Sequence, residues 1–302
     1  MARNRNLNKA RTSKNDEFYT LYEDIENELQ HYKSKFKDKV VYCNCDDYRK
    51  SNFFKYFKDN FNRLGLKLLI ATHYVDNSVD IFDIEKRVYA YRATYDGKVT
   101  MVERLLGNGD FRSVECVNIL KEADVVVTNP PFSLFRELVK LIVDNDKRFV
   151  LIGNQNTVAT NYIYNLFRDN RLWCGKGFKG NATHFETYYD DYASSADHRD
   201  GKVRVSGVVW YTNVQYEIDK KYIELTREYR DGEYDKYDDY EAIEVSFVKD
   251  IPKDYCGTMG VPISIVEKFN HEQFEIVGDL FTPSLKGKKC YKRIPISHRR
   301  KK

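Results

Sequence analysis

The stretch Val125-Val126-Val127-Thr128-Asn129-Pro130-Pro131-Phe132-Ser133-Leu134-Phe135-Arg136-Glu137-Leu138-Val139 decides the fold. Its opening apolar run reads as a buried strand, and the spacing of its later apolar residues reads as an amphipathic helix. Between them, consecutive prolines lock φ at about −65° and remove two backbone donors, so the turn is stiff. Strand, stiff turn and helix in that order suit an α/β sheet with Asn129 and Phe132 delivered to its edge. An amide oxygen, a fixed carbonyl and an aromatic ring at one edge suit a planar aromatic amine whose nitrogen must be held still. A proline turn without chemistry is the plainer alternative.

Working outward, the rhythm of strand and helix recurs. Tyr22 to Phe36 reads as a helix with Ile25, Leu29, Tyr32 and Phe36 on one face. Lys39 to Cys43 reads as a buried strand, Ser51 as the cap of a helix carrying Phe53, Phe54, Phe57 and Phe61, and Gly65 as its end. Leu66 to Ala71 is the next strand. Val88 to Thr94 and Lys98 to Leu105 flank Asp96-Gly97, a hairpin signature, and look like an insertion. A helix near Val114 to Lys121, a helix from Phe132 to Val143, a strand from Arg148 to Ile152 and a central strand from Val203 to Tyr211 complete the pattern. The expected class is α/β, a mostly parallel seven-stranded sheet of Rossmann-like form. Beyond Thr212 charge density rises, a short strand follows (Ala242 to Val248) and Pro252, Gly257, Gly260 and Pro262 punctuate the chain. The expected boundary lies near Asn213, giving a catalytic domain over residues 1–213 and a smaller region over 214–302.

The net charge of +4 is small, but its distribution is uneven. Arg3, Arg5, Lys9, Arg11 and Lys14 precede the first acid, and Lys286, Lys288, Lys289, Lys292, Arg293, Arg299, Arg300, Lys301 and Lys302 follow the last. Basic ends suit a polyanion gripped at two places; solvated tails are the alternative. The six cysteines are scattered, apart from Cys43 and Cys45, which lie too close for a paired-knuckle zinc site. Free thiols suit a reducing interior. No stretch is apolar enough for a membrane span, and the polar start does not read as a signal peptide. These features predict a cytoplasmic protein without a metal, and His73 and His184 stand alone without ligand spacing.

Methylation of the exocyclic amine of adenine sets demands that Asn129 to Phe132 meet. The amine is a weak nucleophile because its lone pair is delocalised into the ring. Acceptors on its two protons, the Asn129 side-chain oxygen and the Pro130 carbonyl, pull the nitrogen toward tetrahedral geometry. Pro131 fixes where that carbonyl points, and Phe132 offers a π-face to the base. Catalysis is then mainly positioning and differential hydrogen bonding. A base inside a duplex must be flipped out to reach such a site. Two further stretches accompany the motif. Asn15-Asp16-Glu17-Phe18-Tyr19-Thr20 lies just before the first helix, where an ordinary helix entry is the plainer reading. Gly107-Asn108-Gly109-Asp110-Phe111-Arg112-Ser113 is a turn leading into a helix, in which Asp110 serves equally well as the helix cap.

Taken together, these three elements make the chain resemble the EcoRI-type adenine-specific DNA methyltransferases. Val41 to Asp47, Leu151 to Asn156 and Met259 to Ile263 also fit that group, and the resemblance runs from about Lys14 to about Gly278. It implies a methyltransferase fold, S-adenosylmethionine as donor and adenine in DNA as acceptor. Asn129, Pro130, Pro131 and Phe132 carry catalysis. Tyr19 and Thr20 belong to the segment covering the donor, and Asp110 and Phe111 hold its adenine. The glycine-rich loop usual after the first strand is replaced by Asn44-Cys45-Asp46-Asp47. Asn44, Asp46 and Asp47 are therefore the residues expected at the methionine end, with solvated loop acids as the alternative for the two aspartates. No acid follows the second strand, where Ala71-Thr72-His73 stands. Asn154 and Asn156 line the site or only form a turn, and Trp210 and Tyr211 read as core.

The region after Asn213 is expected to read duplex DNA, with Lys286, Lys288, Lys289, Lys292 and Arg293 on phosphates. The acidic stretch from Asp231 to Glu241 is expected to be an exposed loop off the DNA. The leading reading is a monomeric, site-specific adenine-N6 methyltransferase of a restriction–modification system, with a cognate endonuclease encoded nearby. The alternatives are a methyltransferase acting on RNA or a protein glutamine, and a DNA-binding relative without catalysis.

Overall fold

A computed structural model describes residues 19–76, 89–178, 183–186, 198–199, 202–216 and 222–299. The basic N-terminus, Asn15 to Phe18 of the expected donor lid, and Arg300 to Lys302 lie outside the described residues. The chain divides into two compact units, one of residues 1–154 and 175–216, the other of residues 155–174 and 217–302.

The first unit opens with helix α1 (Tyr22–Leu29), which continues as a 3-10 turn through Lys35. Strand β1 (Val40–Cys43), helices α2 (Asn52–Asp59) and α3 (Phe61–Leu64) and strand β2 (Leu68–Thr72) follow. Ser51 caps α2 by accepting from the N–H groups of Phe53 and Phe54 at 3.0 and 3.3 Å. Gly65 ends α3 in the left-handed conformation at φ 65°. The hairpin β3 (Tyr91–Tyr95) and β4 (Thr100–Arg104) turns at Asp96-Gly97, with Gly97 at φ 93° and Asp96 Oδ1 accepting from the N–H groups of Lys98 and Val99 at 2.9 Å. Next come α4 (Val114–Glu122), β5 (Val125–Thr128), α5 (Phe135–Asp144) and β6 (Arg148–Asn154). The helix after the prolines begins at Phe135 rather than Phe132, because Pro131 first closes a turn by accepting from Leu134 N–H at 2.9 Å.

After α6 (Asn161–Arg168) come β7 (Trp173–Cys174), β8 (Thr183–Glu186), β9 (His198–Arg199), β10 (Lys202–Val205) and β11 (Val208–Thr212). The main sheet is eight-stranded in the order β4-β3-β2-β1-β5-β6-β11-β7. It corrects the expectation of a mostly parallel seven-stranded sheet. Only β2, β1, β5 and β6 run parallel to one another, while β3, β4 and β11 pair antiparallel. The Asp96-Gly97 hairpin is the main cause, since it extends the sheet from the edge of β2. The single strand expected over Val203–Tyr211 is two strands. Gly207 turns the chain at φ 70°, leaving β10 in a small antiparallel sheet with β8 and β9 and β11 against β6.

Alternation sorts the strands onto two faces. Val41, Cys43, Leu69, Ala71, Val125, Val127, Val150 and Ile152 pack with the aromatic faces of α1 and α2 in one core that includes Phe53, Phe54, Tyr56, Phe57 and Phe61. Residues of opposite parity, Tyr42, Ile70, Val126, Phe149 and Leu151, are equally buried. On that side Phe135 of α5 meets Tyr211 at 5.2 Å.

The second unit contains α6 and a four-stranded sheet in the order β12-β13-β17-β14, made from β12 (Ile243–Glu244), β13 (Met259–Pro262), β14 (Phe274–Ile276) and β17 (Arg293–His298). A hairpin of β15 (Ser284–Leu285) and β16 (Lys288–Lys289) lies between β14 and β17. The strand expected over Ala242–Val248 is confined to two residues. Arg293 is half-buried in an ion pair with Glu244, with Nη2–Oε1 at 2.6 Å and Nε–Oε2 at 3.0 Å. This corrects its assignment as a phosphate contact, because the guanidinium is spent inside the unit.

Burial raises the carboxyl of Glu267 in this unit to about 6, against an ordinary 4.5. Its partner is the Gln155 amide, which donates to Oε1. The folded chain therefore holds this proton more tightly than the unfolded chain, and stability falls as pH rises through that interval. Glu267→Gln is expected to raise the midpoint of thermal unfolding by a few degrees at about pH 7.5 and to lose that gain at about pH 4. An equal gain at both pH values is the contrary result.

Candidate active site

Four loops at the carboxyl edge of the parallel strands bring the expected residues of the first unit together. The loop after β1 carries Asn44, Asp46 and Asp47. Asp46 is 8% exposed, and both its oxygens are engaged: Oδ1 accepts from Ser51 Oγ and Oδ2 from Thr128 Oγ1, each at 2.5 Å. Its N–H donates to the Thr72 carbonyl at 2.9 Å. Asp46 thus joins the end of β1 to the end of β5 and the start of α2 through its carboxylate, and to the end of β2 through its N–H. Ser51 and Thr128 are almost wholly buried, so these charge-assisted bonds replace water that the hydroxyls no longer reach.

Asn129 follows Thr128 directly, so the Asp46–Thr128 bond fixes the backbone from which Asn129 projects. Asn129 is half-buried, Pro130 buried, and Phe132 half-buried against the aromatic core. Asn52 Nδ2, at the first position of α2, donates to the Thr20 carbonyl at 2.8 Å, which ties the described end of the N-terminal segment to the same helix start. Thr20 is 3% exposed, and among the described residues its Oγ1 has no hydrogen-bond partner. Tyr19 beside it is half-buried. Asn44 is buried, and its carbonyl accepts from Thr72 Oγ1 at 3.5 Å.

Asp47 and Asp110 share a second pattern. Asp47 accepts from Arg49 through the N–H at 3.1 Å, Nε at 2.9 Å and Nη2 at 2.8 Å. Burial works against its ionisation, but the Arg49 bonds outweigh it and hold the carboxyl below the usual range. Asp110 accepts from Arg112 through the N–H at 2.9 Å, Nε at 2.9 Å and Nη2 at 2.7 Å, which likewise holds it low. Each arginine also lies over the aromatic residue between, Tyr48 at 5.7 Å and Phe111 at 5.5 Å. Asp110 does not cap α4. Ser113 does, accepting from Cys116 N–H at 3.2 Å, which leaves the Asp110 carboxylate at the loop surface beside buried Phe111.

The loop bearing Asp110 is seated on the loop after β2. Val75 N–H donates to the Asn108 carbonyl at 2.8 Å, and Glu115 accepts from the N–H groups of Leu106 and Gly107 at 2.9 and 3.1 Å. Gly109 has φ 77°, and a Cβ there would fall 1.9 Å from the His73 carbonyl oxygen, so only glycine fits. His73 keeps its Nδ1 buried without a partner among the described residues, and burial lowers its pKa.

Ser51, Thr128, Arg49 and Arg112 are the residues that the motifs alone did not single out for the site. The signal for Thr128 is a lone hydroxyl at the end of an apolar strand. For the arginines it is the repeated Asp-aromatic-Arg triplet. Asn154 ends β6 in the first unit, while Asn156 belongs to the second. Trp210 and Tyr211 are fully buried core residues. Among the described residues no group of histidine, cysteine or carboxylate side chains could hold a metal, and no helix is long and apolar enough to cross a membrane.

Asp46→Ala takes the carboxylate acceptor from the buried hydroxyls of Ser51 and Thr128 and unties β5 and the start of α2 from the loop after β1, while the backbone bond to Thr72 remains. It is expected to lower stability by about 2–4 kcal/mol in urea unfolding, with Thr128→Val costing about half as much. A loss of less than about 0.5 kcal/mol for Asp46→Ala would show that the bracket contributes little.

The family model of the adenine-specific methyltransferase EcoRI matches residues 6–301. The type II methyltransferase M.EcoRI of Escherichia coli is 44% identical over 319 aligned positions, covering 99% of this chain and 98% of the relative. M.MpnI of Mycoplasma pneumoniae is 36% identical, covering 97% and 98%, and M.MgeORF184P of Mycoplasma genitalium is 37% identical, covering 92% and 87%. No solved structure matches significantly. With a family model spanning nearly its whole length, the chain belongs to the EcoRI-type adenine-specific methyltransferase family.

Proposed function

We propose that the protein is a type II, site-specific DNA methyltransferase that transfers a methyl group from S-adenosylmethionine to N6 of a flipped-out adenine. The observation that carries the reading is the Asp46 bracket, which immobilises Asn129 and the donor-side loop as one piece. The adenine specificity of the family favours a nucleic-acid base over a protein amide, and the relatives named as type II methyltransferases favour a restriction–modification setting.

The residues present fit the donor. Thr20 offers a buried hydroxyl without a partner among the described residues, and Asp110 offers a carboxylate beside buried Phe111 on a loop packed at Gly109 against the His73 carbonyl. S-adenosylmethionine supplies an electrophilic methyl group on a sulfonium. Tyr19 and Thr20 would cover the donor, and Asp110 and Phe111 would hold its adenine. Asn44, Asp46 and Asp47 face the methionine end. Each Asp46 oxygen keeps a lone pair beyond its hydroxyl bond, so the bracket and an ammonium contact are compatible.

At the target base, Asn129 Oδ1 accepts one N6 proton and the Pro130 carbonyl accepts the other. Pro131 sets the direction of that carbonyl, and Phe132 stacks on the flipped ring. The amine then presents a localised lone pair along a fixed line, which is the gain expected from orientation rather than from charge. The Asp46–Thr128 bond keeps that line constant. The second unit supplies the contacts to duplex DNA.

Asn129→Ala is expected to lower the methylation rate by about 100–1,000-fold, the loss seen when one preorganised hydrogen-bonding group is removed. Binding of duplex DNA and of S-adenosylmethionine should stay near wild type. Equal loss of binding and methylation would mean that Asn129 is only structural. Phe132→Ala should weaken base capture by about 1–3 kcal/mol. Sequencing DNA for N6-methyladenine after expression of the protein tests the reading itself, and DNA without the mark overturns it.

A further inference from the structure

Three residues of the acidic stretch of the second unit, Asp235, Asp238 and Asp239, share one task. Ser284↔Lys289 and Leu285↔Lys288 pair as an antiparallel ribbon whose two turn residues, Lys286 and Gly287, both have positive φ, 50° and 74°. That is the backbone of a two-residue primed turn, and lysine at the first position is a strained choice. Isolated two-stranded hairpins are marginal in water, so something must hold this one.

Three aspartates do so. Asp238 accepts from the turn N–H groups of Lys286 at 3.3 Å and Gly287 at 2.8 Å. Asp239 accepts from Ser284 N–H at 2.8 Å, and the Asp238 N–H donates to the Ser284 carbonyl at 2.9 Å. Asp235 pairs with Lys286 Nζ at 2.8 Å. The base of the ribbon is fixed as well. Phe281 exchanges backbone bonds with Arg293 at 3.2 and 2.8 Å and stacks on Tyr240 at 4.0 Å.

The charge is therefore sorted. Asp235, Asp238 and Asp239 are engaged by backbone N–H groups and by Lys286, while Glu233 pairs with Arg230 and Asp231 accepts from the Tyr229 hydroxyl. Lys288 and Lys289 are exposed and make no ion pair among the described residues, and Tyr291 beside them is 58% exposed. Adjacent strand residues point to opposite faces, so the two ammonium groups flank the ribbon. A two-stranded ribbon fits the major groove, and charges on both its sides reach the phosphates along both walls.

Building on the DNA reading above, we propose that the ribbon Ser284–Lys289 is the element of this chain that enters the major groove of duplex DNA. Lys288 and Lys289 grip the backbone, and Asp235, Asp238 and Asp239 act as an internal brace that holds the ribbon in its binding shape. The acidic stretch is thus a positioning device for a basic reader.

The test uses the full chain and a mixed-sequence duplex, with binding measured across a salt series. Lys288→Ala combined with Lys289→Ala is expected to reduce the slope of log affinity against log salt by about 1–2, one contact per lysine. An unchanged slope in a variant that still binds S-adenosylmethionine overturns the ribbon assignment while leaving the DNA reading intact. Wild-type protein that ignores the duplex overturns both. Asp238→Asn separates brace from charge. Removing a negative charge near DNA should by itself raise affinity, whereas a loosened turn should lower affinity and broaden the set of methylated sites. A rise in affinity with an unchanged set of sites overturns the brace.

Discussion

The Asp46 carboxylate is the constraint on which the rest of the first unit depends. A parallel sheet fixes its strands sideways by backbone bonds but leaves their carboxyl ends free to splay. Here one buried anion with two hydroxyl donors and one backbone donation ties three strand ends to a helix start. The arrangement explains how the chain manages without glycine after the first strand. A glycine-rich loop lets backbone approach a ligand. The Asn44–Asp47 loop instead fixes side chains by internal bonds, and the close backbone approach shifts to Gly109, whose neighbour is the His73 carbonyl. Rigidity is moved from one loop to another rather than lost.

Under the proposed function that rigidity matters, because an amide and a carbonyl are weak catalytic groups. They carry no charge to attract a substrate and gain only from direction. An error of a few tenths of an ångström at Thr128 would pass straight to Asn129 Oδ1. The buried hydroxyl bond and the paired prolines limit that error from both sides of Asn129.

Local signals carried most of what was legible in the sequence. The apolar run at Val125, the Ser51 cap, the Gly65 stop and the Asp96-Gly97 turn each depend on a handful of neighbours, and each stands where the pattern placed it. The partnership of the hairpin with β2 did not show, since antiparallel edge pairing is settled by distant strands. The break at Gly207 was hidden because Val203–Tyr211 is apolar enough to read as one strand. Asp110 and Ser113 both suit a cap, and only the backbone decides between them. Arg293 read as one more basic residue near the C-terminus, but Glu244, far away in sequence, takes it into the interior. The loops that carry the expected site residues were legible, while the bonds that hold those residues were not.

Charge counting would also have misjudged the second unit. Fifty basic and forty-six acidic residues nearly cancel, so no general attraction to a polyanion follows from the total. What changes the balance is where each charge is spent. A carboxylate accepting backbone N–H groups has part of its field answered by aligned dipoles, and one paired with Arg293 presents little to solvent. Exposed lysines on a ribbon keep theirs. Within a distance of about a Debye length, roughly 8 Å at physiological salt, that local sorting outweighs the sum over the chain. A nearly neutral protein can thus present a cationic edge to DNA, and the acids that seem to oppose binding are the residues that fix the shape of that edge.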